Sequence, residues 1–340
     1  MKLLVTGATG FLGSALLPLL AERGHALRVL ARGDAAAAER LGAEVVRASL
    51  DDRVAIRRAL RGVEGVYHLA GQVAFDGADP AALFRLHVEG TRTLLEDAHA
   101  AGVGRVVLAS TSGTVGISRE PKVHTEADAP ALAVVARWPY YLSKIYAENA
   151  ALRIHRDTGL PLVVLNPSLL LGPGDARLSS TDVVLKALER RLPAMPSGGV
   201  SFVDVRDAAA AFAAALERGT PGERYVLTAA NMTFADFFGR VARLSGVPAP
   251  ALRLPPAVNV AGARLLERWH AWRGSEAPIA AEEVAMGEHF FYVDAAKAAR
   301  DLGFTARDPH ETLHATVAWL DAHVRKKRAP QTLAELDRSS

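Results

Sequence analysis

The sequence predicts an α/β protein built on a doubly wound parallel sheet, with a smaller, mostly helical C-terminal lobe. Short apolar runs alternate with longer helical patterns from the N-terminus to Asn166, which implies right-handed βαβ crossovers and a sheet covered on both faces. After Asn166 the alternation stops. A stretch rich in Gly, Pro and Ser follows, and mostly helical patterns run onward from Thr228. This is the pattern of a Rossmann fold with an added lobe.

Capping and turn residues delimit the elements of the predicted core. Gly24 and Gly42 end two helices at the position that favours a left-handed backbone, and Asp79-Pro80 opens a long helix that runs to residue 101. Pro139 opens the helix before the sixth strand. Residues 200–205 are predicted to add a strand to the same sheet, before a helix over 207–218. The six strands predicted before them are 2–5, 27–31, 43–47, 65–69, 105–110 and 160–165.

Composition excludes several classes of protein. Half of the 340 residues are apolar, and the net charge of +3 comes without a long basic block, so we expect no nucleic-acid partner. The absence of cysteine excludes disulfides and thiolate catalysis and agrees with a cytoplasmic location. Residues 3–21 carry no charge, but their glycines and proline favour a buried strand and helix over a signal peptide or a membrane span. We therefore expect no membrane partner.

The stretch Thr6-Gly7-Ala8-Thr9-Gly10-Phe11-Leu12-Gly13 joins the first strand to the first helix. Its first glycine permits a tight turn, its second keeps side-chain atoms away from a pyrophosphate, and its third lets the helix lie close to the sheet. The helix N-terminus then directs free N–H groups toward phosphate. The stretch predicts a dinucleotide site that comprises Gly7, Thr9, Gly10, Phe11, Leu12 and Gly13.

Arg32 follows the second strand, at the strand end that faces the adenosine ribose of a bound dinucleotide. An acidic residue at this place binds the 2′-hydroxyl of NAD(H), whereas a guanidinium suits the 2′-phosphate of NADP(H). Arg32 therefore predicts NADP(H) in preference to NAD(H). The alternative is a solvated surface arginine.

Tyr140 and Lys144 lie one turn apart at the start of the helix that Pro139 opens. We expect the ammonium to favour the phenolate and to lower the tyrosine pKa from about 10 toward neutrality, so that the phenol can exchange a proton with a substrate oxygen. Tyr141 has no lysine at this offset. At the end of the fifth strand, Ser110-Thr111-Ser112 offers hydroxyls that could hold a carbonyl oxygen.

Together these features resemble the extended short-chain dehydrogenase/reductases, the NAD-dependent epimerase/dehydratase family. Within that family the chain looks most like the dihydroflavonol-reductase-like branch and the hopanoid-associated sugar epimerases. The resemblance covers nearly the whole chain, since it extends to His68-Leu69-Ala70-Gly71, Val88-Glu89-Gly90-Thr91, Asn166-Pro167 with Gly172-Pro173, and residues 297–304.

The resemblance implies roles for individual residues. Tyr140 would be the acid/base, and Lys144 would orient the nicotinamide ribose and tune Tyr140. Thr111 would supply the catalytic hydroxyl, with Ser112 and Ser110 as alternatives. Beyond the glycine stretch and Arg32, the implied cofactor contacts are Ser49, Leu50, Leu69, Ala70, Gly71, Tyr140, Lys144, Pro167 and Leu170.

Two positions depart from the family pattern. Ala48-Ser49-Leu50 stands where the family often has Gly-Asp-Leu, so a carboxylate contact to adenine is missing, and His87 stands where the family often has asparagine. A third feature, His310-Glu311-Thr312-Leu313-His314, matches a zinc-protease pattern. It falls where the family has an ordinary amphipathic helix, and we expect no metal.

These inferences divide the chain and define its function. Residues 1–166 are the predicted NADP-binding core, with 200–228 returning to it. Residues 167–199 and 229–325 are the substrate-binding lobe, and 326–340 form a polar tail. The leading hypothesis is an NADPH-dependent oxidoreductase that reduces a ketone or aldehyde to an alcohol, or catalyses the reverse reaction, with Tyr140 as acid/base.

Two other functions stay open. The first is a nucleotide-sugar epimerase with tightly bound NAD(P), because Arg177, Arg190, Arg191 and Arg206 could bind a substrate diphosphate. The second is a non-catalytic NADP(H)-binding sensor.

The apolar residues 169–171 and the tryptophans within 269–272 favour a fairly apolar carbonyl or alcohol substrate. The family further implies a homodimer formed through helices 80–101 and 139–157.

Overall fold

The computed structural model describes residues 1–73, 79–275, 277 and 279–325, so the predicted polar tail lies outside the described residues. The strands are β1 (Lys2–Thr6), β2 (Ala26–Ala31), β3 (Glu44–Arg47), β4 (Gly65–His68), β5 (Arg105–Ala109), β6 (Leu162–Pro167), β7 (Leu169–Leu171), β8 (Gly199–Asp204), β9 (Arg224–Leu227) and β10 (Ala230–Thr233). The helices are α1 (Phe11–Glu22), α2 (Ala36–Arg40), α3 (Arg53–Ala59), α4 (Pro80–Phe84), α5 (Gly90–Ala100), α6 (Leu132–Val135), α7 (Pro139–Thr158), α8 (Asp182–Leu188), α9 (Val205–Arg218), α10 (Phe234–Ser245), α11 (Pro256–Trp272), α12 (Ala281–Gly287), α13 (Ala296–Leu302) and α14 (Pro309–Leu320).

A seven-stranded parallel sheet forms the core, in the order β3-β2-β1-β4-β5-β6-β9. The strand order reverses between β1 and β4, and a ligand crevice forms beyond the carboxyl ends of strands at such a switch point. Helices α1 and α9 bury one face of the sheet, and α3, α5 and α7 bury the other. The predicted fold class is confirmed.

The helix predicted from Pro80 runs to residue 100, but it is not a uniform α-helix. A wider, π-helical turn over Arg85–Glu89 joins α4 to α5. Such turns add one residue to a helix and re-aim the side chains around it. Here the turn carries His87, which is buried.

The C-terminal lobe contains a second sheet that the sequence did not predict. Strands β7 and β8 pair in parallel, β8 and β10 pair antiparallel, and helices α8, α10 and α14 pack on this sheet around a separate apolar cluster. Placing residues 200–205 in the main sheet was therefore wrong. Strand β9 pairs with β6 and forms the edge of the core sheet. Strand β7 begins two residues after β6 ends, and it pairs with β8 in the second sheet.

Two further observations complete the architecture. Helix α13, assigned to the lobe from sequence, packs against α9 and β9 of the core through Ala298 and Leu302. Across the described ranges, no helix is both long and apolar enough to cross a bilayer.

Candidate active site

The glycine loop after β1 lies too close to its neighbours to admit side chains. Gly7 has a φ of +72°, and a Cβ there would lie 2.6 Å from the backbone nitrogen of Ala70. A Cβ on Gly13 would lie 2.3 Å from the carbonyl oxygen of Gly7. Within the described part of the chain, no side chain caps the N-terminus of α1 at Gly10. The backbone N–H of Gly10 donates to the carbonyl oxygen of Gly7, so the cradle that fits a dinucleotide pyrophosphate is formed by the next N–H groups, at the start of α1.

The other residues of the predicted phosphate site divide into two groups. The side chains of Phe11 and Leu12 are buried in the core between α1 and the sheet, so only their backbone groups are available to a ligand. Thr9 points outward instead, and its hydroxyl accepts a hydrogen bond of 3.1 Å from the guanidinium of Arg177. A cation from the lobe therefore reaches the glycine loop.

A second arginine accompanies Arg32 at the predicted ribose end. Arg32 is exposed just after β2, and the register of β2 with β3 sets Ala31 opposite Arg47. Arg47 donates a hydrogen bond of 3.0 Å to the carbonyl oxygen of Gly33 and forms an ion pair with Glu39. Arg47 could have been predicted from sequence as a second ribose-end arginine, since it ends β3 just as Arg32 directly follows the adjacent β2.

The remaining predicted adenine contacts are engaged within the protein. The Ser49 hydroxyl accepts a hydrogen bond from the backbone N–H of Asp51. Leu50 is buried, and it packs against Gly90 of the following helix. Ser49 therefore caps a turn, and Leu50 contributes to the core.

The end of β4 lies beside the glycine loop. The backbone N–H of Ala70 donates to the hydroxyl of Thr6 over 3.3 Å, and His68 bridges Thr6 and Thr91 at 2.7 and 2.9 Å. Burial lowers the pKa of His68 to about 3, so this bridge is neutral. Leu69 is half-buried, and a Cβ on Gly71 would lie 3.4 Å from the Lys144 ammonium nitrogen.

Pro167 and Leu170 were predicted beside the nicotinamide. Pro167 ends β6 and is buried. Leu170 is half-buried, and it packs against the apolar cluster under α1 and α9. Both therefore lie at the carboxyl edge of the core sheet, where the crevice opens.

Tyr140, Thr111 and Lys144 converge at the carboxyl end of β5. The hydroxyl groups of Tyr140 and Thr111 are hydrogen-bonded, and the Lys144 ammonium donates to the carbonyl oxygen of Ala109 over 3.1 Å. Ser110 instead donates its hydroxyl hydrogen to Glu148, and Ser112 begins a short turn. Thr111, the preferred candidate among the three predicted hydroxyls, is thus hydrogen-bonded to Tyr140.

The expected lowering of the tyrosine pKa is wrong for this structure. Burial raises the pKa of Tyr140 to about 12, and the hydrogen bond with Thr111 only partly opposes that effect. Burial also lowers the pKa of Lys144 to about 8, against the opposing charge of Glu148. The spacing of Tyr140 and Lys144 in the sequence predicts that they lie together, but it does not show how deeply they are buried. Burial is the main cause of both pKa shifts.

Glu148 organises the strand ends around the cluster, although it is not among the residues predicted from sequence. It lies on α7 one turn beyond Lys144, and its side chain is buried. Its carboxylate accepts hydrogen bonds from Thr114 and Asn166, each over 2.8 Å, and forms an ion pair with Arg224 at 3.1 Å. Its spacing of four from Lys144 was the available signal.

His87 connects the loop after β4 to helix α7. Its Nε2 accepts the backbone N–H of Gln72 over 3.0 Å, so Nδ1 carries the proton and donates to the Ser143 hydroxyl over 2.8 Å. Ser143 in turn donates to the carbonyl oxygen of Tyr140 over 2.8 Å. Burial lowers the pKa of His87 to about 3 and keeps the ring neutral. The departure from the family pattern thus supplies a hydrogen-bond relay.

Aromatic side chains form an apolar wall beside Tyr140. Trp138 contacts His289 with ring centroids 5.1 Å apart, and Tyr141 contacts Phe291 at 5.8 Å. Met286 of α12 joins the same cluster. Trp269 and Trp272, taken from sequence as evidence for an apolar pocket, are exposed by 46% and 84% and do not belong to this wall.

Three of the four arginines proposed for a substrate diphosphate have partners within the protein. Arg206 makes a two-pronged contact with Asp204 at 2.8 and 2.7 Å, and Arg191 pairs with Glu189 at 3.5 Å. Arg177 lies against Thr9. Arg190 adopts a left-handed backbone, with a φ of +57°, after α8.

The zinc-protease pattern lies on α14. His310, Glu311 and His314 are exposed there, and Glu311 pairs with Arg307. The described residues include no group of three His, Asp or Glu side chains placed to hold a metal ion.

The sheet, the glycine loop and the Thr111–Tyr140–Lys144 cluster define an NAD(P)-dependent oxidoreductase or epimerase of the Rossmann class. Residues 3–228 match the NAD dependent epimerase/dehydratase family, and the chain belongs to that family, the extended short-chain dehydrogenase/reductases. The predicted family is confirmed.

Individual relatives place the chain within the family. It is 30% identical over 327 residues to a putative dihydroflavonol 4-reductase from Synechocystis sp., with 94% of both chains covered. It is 36% identical over 259 residues to sterol demethylase protein B from Methylococcus capsulatus, covering 75% of this chain and 78% of that one. The solved structure of a nucleoside-diphosphate-sugar epimerase from Pseudomonas aeruginosa matches with a TM-score of 0.76 at 26% identity, covering 95% of this chain and 98% of that one. The chain belongs to the dihydroflavonol-reductase-like branch.

Proposed function

We propose that the protein is an NADP(H)-dependent carbonyl reductase that converts a fairly apolar ketone or aldehyde to an alcohol. The observation that carries the proposal is the contact between the hydroxyls of Tyr140 and Thr111, one helical turn from Lys144 and beside an apolar wall. Two hydroxyls and one ammonium at the end of a dinucleotide crevice suit proton transfer to a carbonyl oxygen.

Each residue of the cluster has a distinct part in this proposal. When bound, the nicotinamide would supply hydride to the carbonyl carbon in reduction and accept it in the reverse reaction. Tyr140 keeps its proton at neutral pH because burial raises its pKa to about 12, so the phenol donates that proton to the carbonyl oxygen. Thr111 holds the same oxygen through its hydroxyl. Lys144 is positively charged below about pH 8, so its ammonium would favour negative charge that develops at the site, and it would also bind the nicotinamide ribose.

The cofactor preference is proposed from charge. Arg32 is exposed after β2, and Arg47 ends the adjacent strand, so two guanidinium groups flank the place where a 2′-phosphate would lie. Arg177 contacts Thr9 of the glycine loop and is suited to the cofactor pyrophosphate. These charges favour NADP(H).

The substrate class is proposed from the wall beside Tyr140. Trp138, Tyr141, Met286 and Phe291 offer apolar surface next to the proton donor. Relatives named putative dihydroflavonol 4-reductase and sterol demethylase protein B agree with a largely apolar carbonyl substrate.

The proposal is tested by NADPH oxidation on a panel of aromatic, alicyclic and aliphatic ketones and aldehydes. We expect turnover with at least one apolar carbonyl, and Tyr140→Phe should abolish it while the NADPH affinity changes little. Tyr67→Phe is the matched control, since Tyr67 is also buried but packs in the apolar cluster under α1 and α9. Background rates on the whole panel at high enzyme concentration would refute the reductase.

The second candidate is a nucleotide-sugar epimerase, which the Pseudomonas aeruginosa structure favours. An epimerase reoxidises its cofactor within each turnover and keeps it bound, whereas a reductase must exchange it. Gel filtration of enzyme loaded with cofactor separates the two. If the cofactor elutes with the protein and the enzyme interconverts nucleotide sugars, the protein is an epimerase and the reductase proposal is wrong.

A homodimer through α4, α5 and α7 is a further part of the proposal. Phe84 and Tyr146 lie on α4 and α7, are exposed by 42% and 49%, and contact each other with ring centroids 6.1 Å apart. Such an aromatic pair on a helix surface suits a protein contact.

A further inference from the structure

Helix α11 carries an apolar stripe that faces solvent. Val258, Leu265, Trp269 and Trp272 are exposed by 52%, 70%, 46% and 84%, respectively. At 3.6 residues per turn these four side chains fall within a sector of about 60° around the helix axis. They therefore form one continuous surface rather than scattered exposed residues.

The opposite side of α11 fixes the helix in this orientation. Asn259 donates a hydrogen bond to Glu288 over 2.6 Å, and the Glu267 carboxylate accepts the backbone N–H of Ala281 over 2.6 Å. Ala263 packs against Ala281 and Val284 of α12. Because the inner face is held by these contacts, the apolar stripe cannot turn inward without breaking them.

Arginines flank the stripe on both sides. Arg264 and Arg268 lie along one edge, and Arg273, directly after the helix, covers the Trp269 ring at 4.7 Å from the other edge. The single acidic residue of α11, Glu267, lies on the inner side and is bound to the Ala281 backbone. The outer surface of α11 is thus apolar at its centre and positively charged at its edges.

We propose that α11 docks the protein on the surface of an anionic lipid membrane, contrary to the expectation from sequence of no membrane partner. A fixed helix with leucine and tryptophan on its outer face and arginines along both edges has the chemistry of an interfacial helix, which lies in the plane of the headgroups without crossing the bilayer. Tryptophan is favoured at that boundary because its ring is apolar and its N–H is polar. A second copy of the chain fits this surface less well, since pairing two such helices would bring Arg264 and Arg268 near the same arginines of the copy.

The docking surface adjoins the proposed active site through α12. Ala281 and Val284 of α12 pack on α11, while Met286 of the same helix packs in the cluster with Trp138 and Tyr140. The proposal stands independently of the reaction, because lipid binding is measured without substrate or cofactor.

The test is co-sedimentation of the full-length protein with vesicles of phosphatidylglycerol and phosphatidylcholine in equal parts, and with vesicles of phosphatidylcholine alone. We expect binding to the anionic vesicles only, weakened by added salt. The double variant Leu265→Ser, Trp272→Ser should lose at least tenfold in partitioning, and Arg264→Gln, Arg268→Gln should lose roughly thirtyfold. Val54→Ser is the matched control, because Val54 is 81% exposed on α3.

Quenching of tryptophan emission by brominated lipid locates the contact. Trp269 and Trp272 should be quenched in the wild-type protein, and replacing both with phenylalanine should remove the quenching without removing binding. Circular dichroism checks that each variant is folded, which is expected because all the changed side chains are exposed.

Three outcomes would overturn the proposal. The first is no binding to anionic vesicles, and the second is binding that the α11 variants leave unchanged. The third is a wild-type protein that does not bind vesicles but forms a dimer in analytical ultracentrifugation, with the dimer lost in the Leu265→Ser, Trp272→Ser variant. That result would assign the stripe to contact with a second copy of the chain.

Discussion

Replacing Gly7 with alanine tests whether the close approach of the glycine loop to the β4 loop builds the cofactor site. Two costs combine at this position. The φ of +72° costs an alanine about 1–2 kcal/mol. Its Cβ would also lie 2.6 Å from backbone atoms of Leu69 and Ala70, so the loops must separate by about 0.8 Å to regain a contact of 3.4 Å, and overpacking of this kind costs about 1–3 kcal/mol. We expect a total loss of about 2–5 kcal/mol in the free energy of unfolding.

Gly102→Ala separates the two costs. Gly102 has nearly the same φ, +71°, and an added Cβ would meet no atom within 4 Å. It should therefore lose only about 1–2 kcal/mol. Urea unfolding measures both variants, and fluorescence titration measures their NADPH affinity.

The NADPH affinity should fall by about tenfold or more in Gly7→Ala, because the phosphate cradle moves, and stay unchanged in Gly102→Ala. Equal losses of stability in the two variants, with equal NADPH affinity, would show that the close approach of the two loops does not build the cofactor site.

Three further predictions concern the charged groups. Arg32→Ala should weaken NADPH binding far more than NADH binding, by roughly tenfold or more, and equal losses would contradict a role at the 2′-phosphate. The kcat/KM of reduction should fall as the pH rises through about 8, where buried Lys144 loses its proton, and a profile level to about pH 10 would contradict that role. Glu148→Gln should move this alkaline limb to lower pH, because the carboxylate raises the pKa of Lys144, and should cost about 2–4 kcal/mol by leaving Arg224 without its anion. An unmoved limb would show that Glu148 acts on packing alone.

The core and the centre of the site were predictable because their signals are local. The turn chemistry of Gly7, the cap and proline at Asp79-Pro80 and the spacing of Tyr140 and Lys144 each lie within a few residues of the element they define. The same short-range patterns carry the family resemblance, which the match over residues 3–228 confirms.

What the sequence analysis missed depends on contacts between distant segments. Residues 200–205 have the pattern of a buried strand in either sheet, and it is the pairing of β8 with β7 and β10 that places them in the second sheet. The pKa of Tyr140 depends on how deeply the lobe buries it. His87 acquires its role from Gln72 and Ser143, neither of which is its neighbour in the chain.

The wide turn at Arg85–Glu89 constrains how this segment can evolve. A regular α-helix advances about 100° per residue, so deleting one residue from the turn would rotate everything before it by that angle relative to α5. His87 would then no longer meet both Gln72 and Ser143, although no atom of Tyr140 had changed. Descendants of this chain that shorten the segment must also find another way to connect the β4 loop to α7, so helix length and the residue at position 87 should be inherited together.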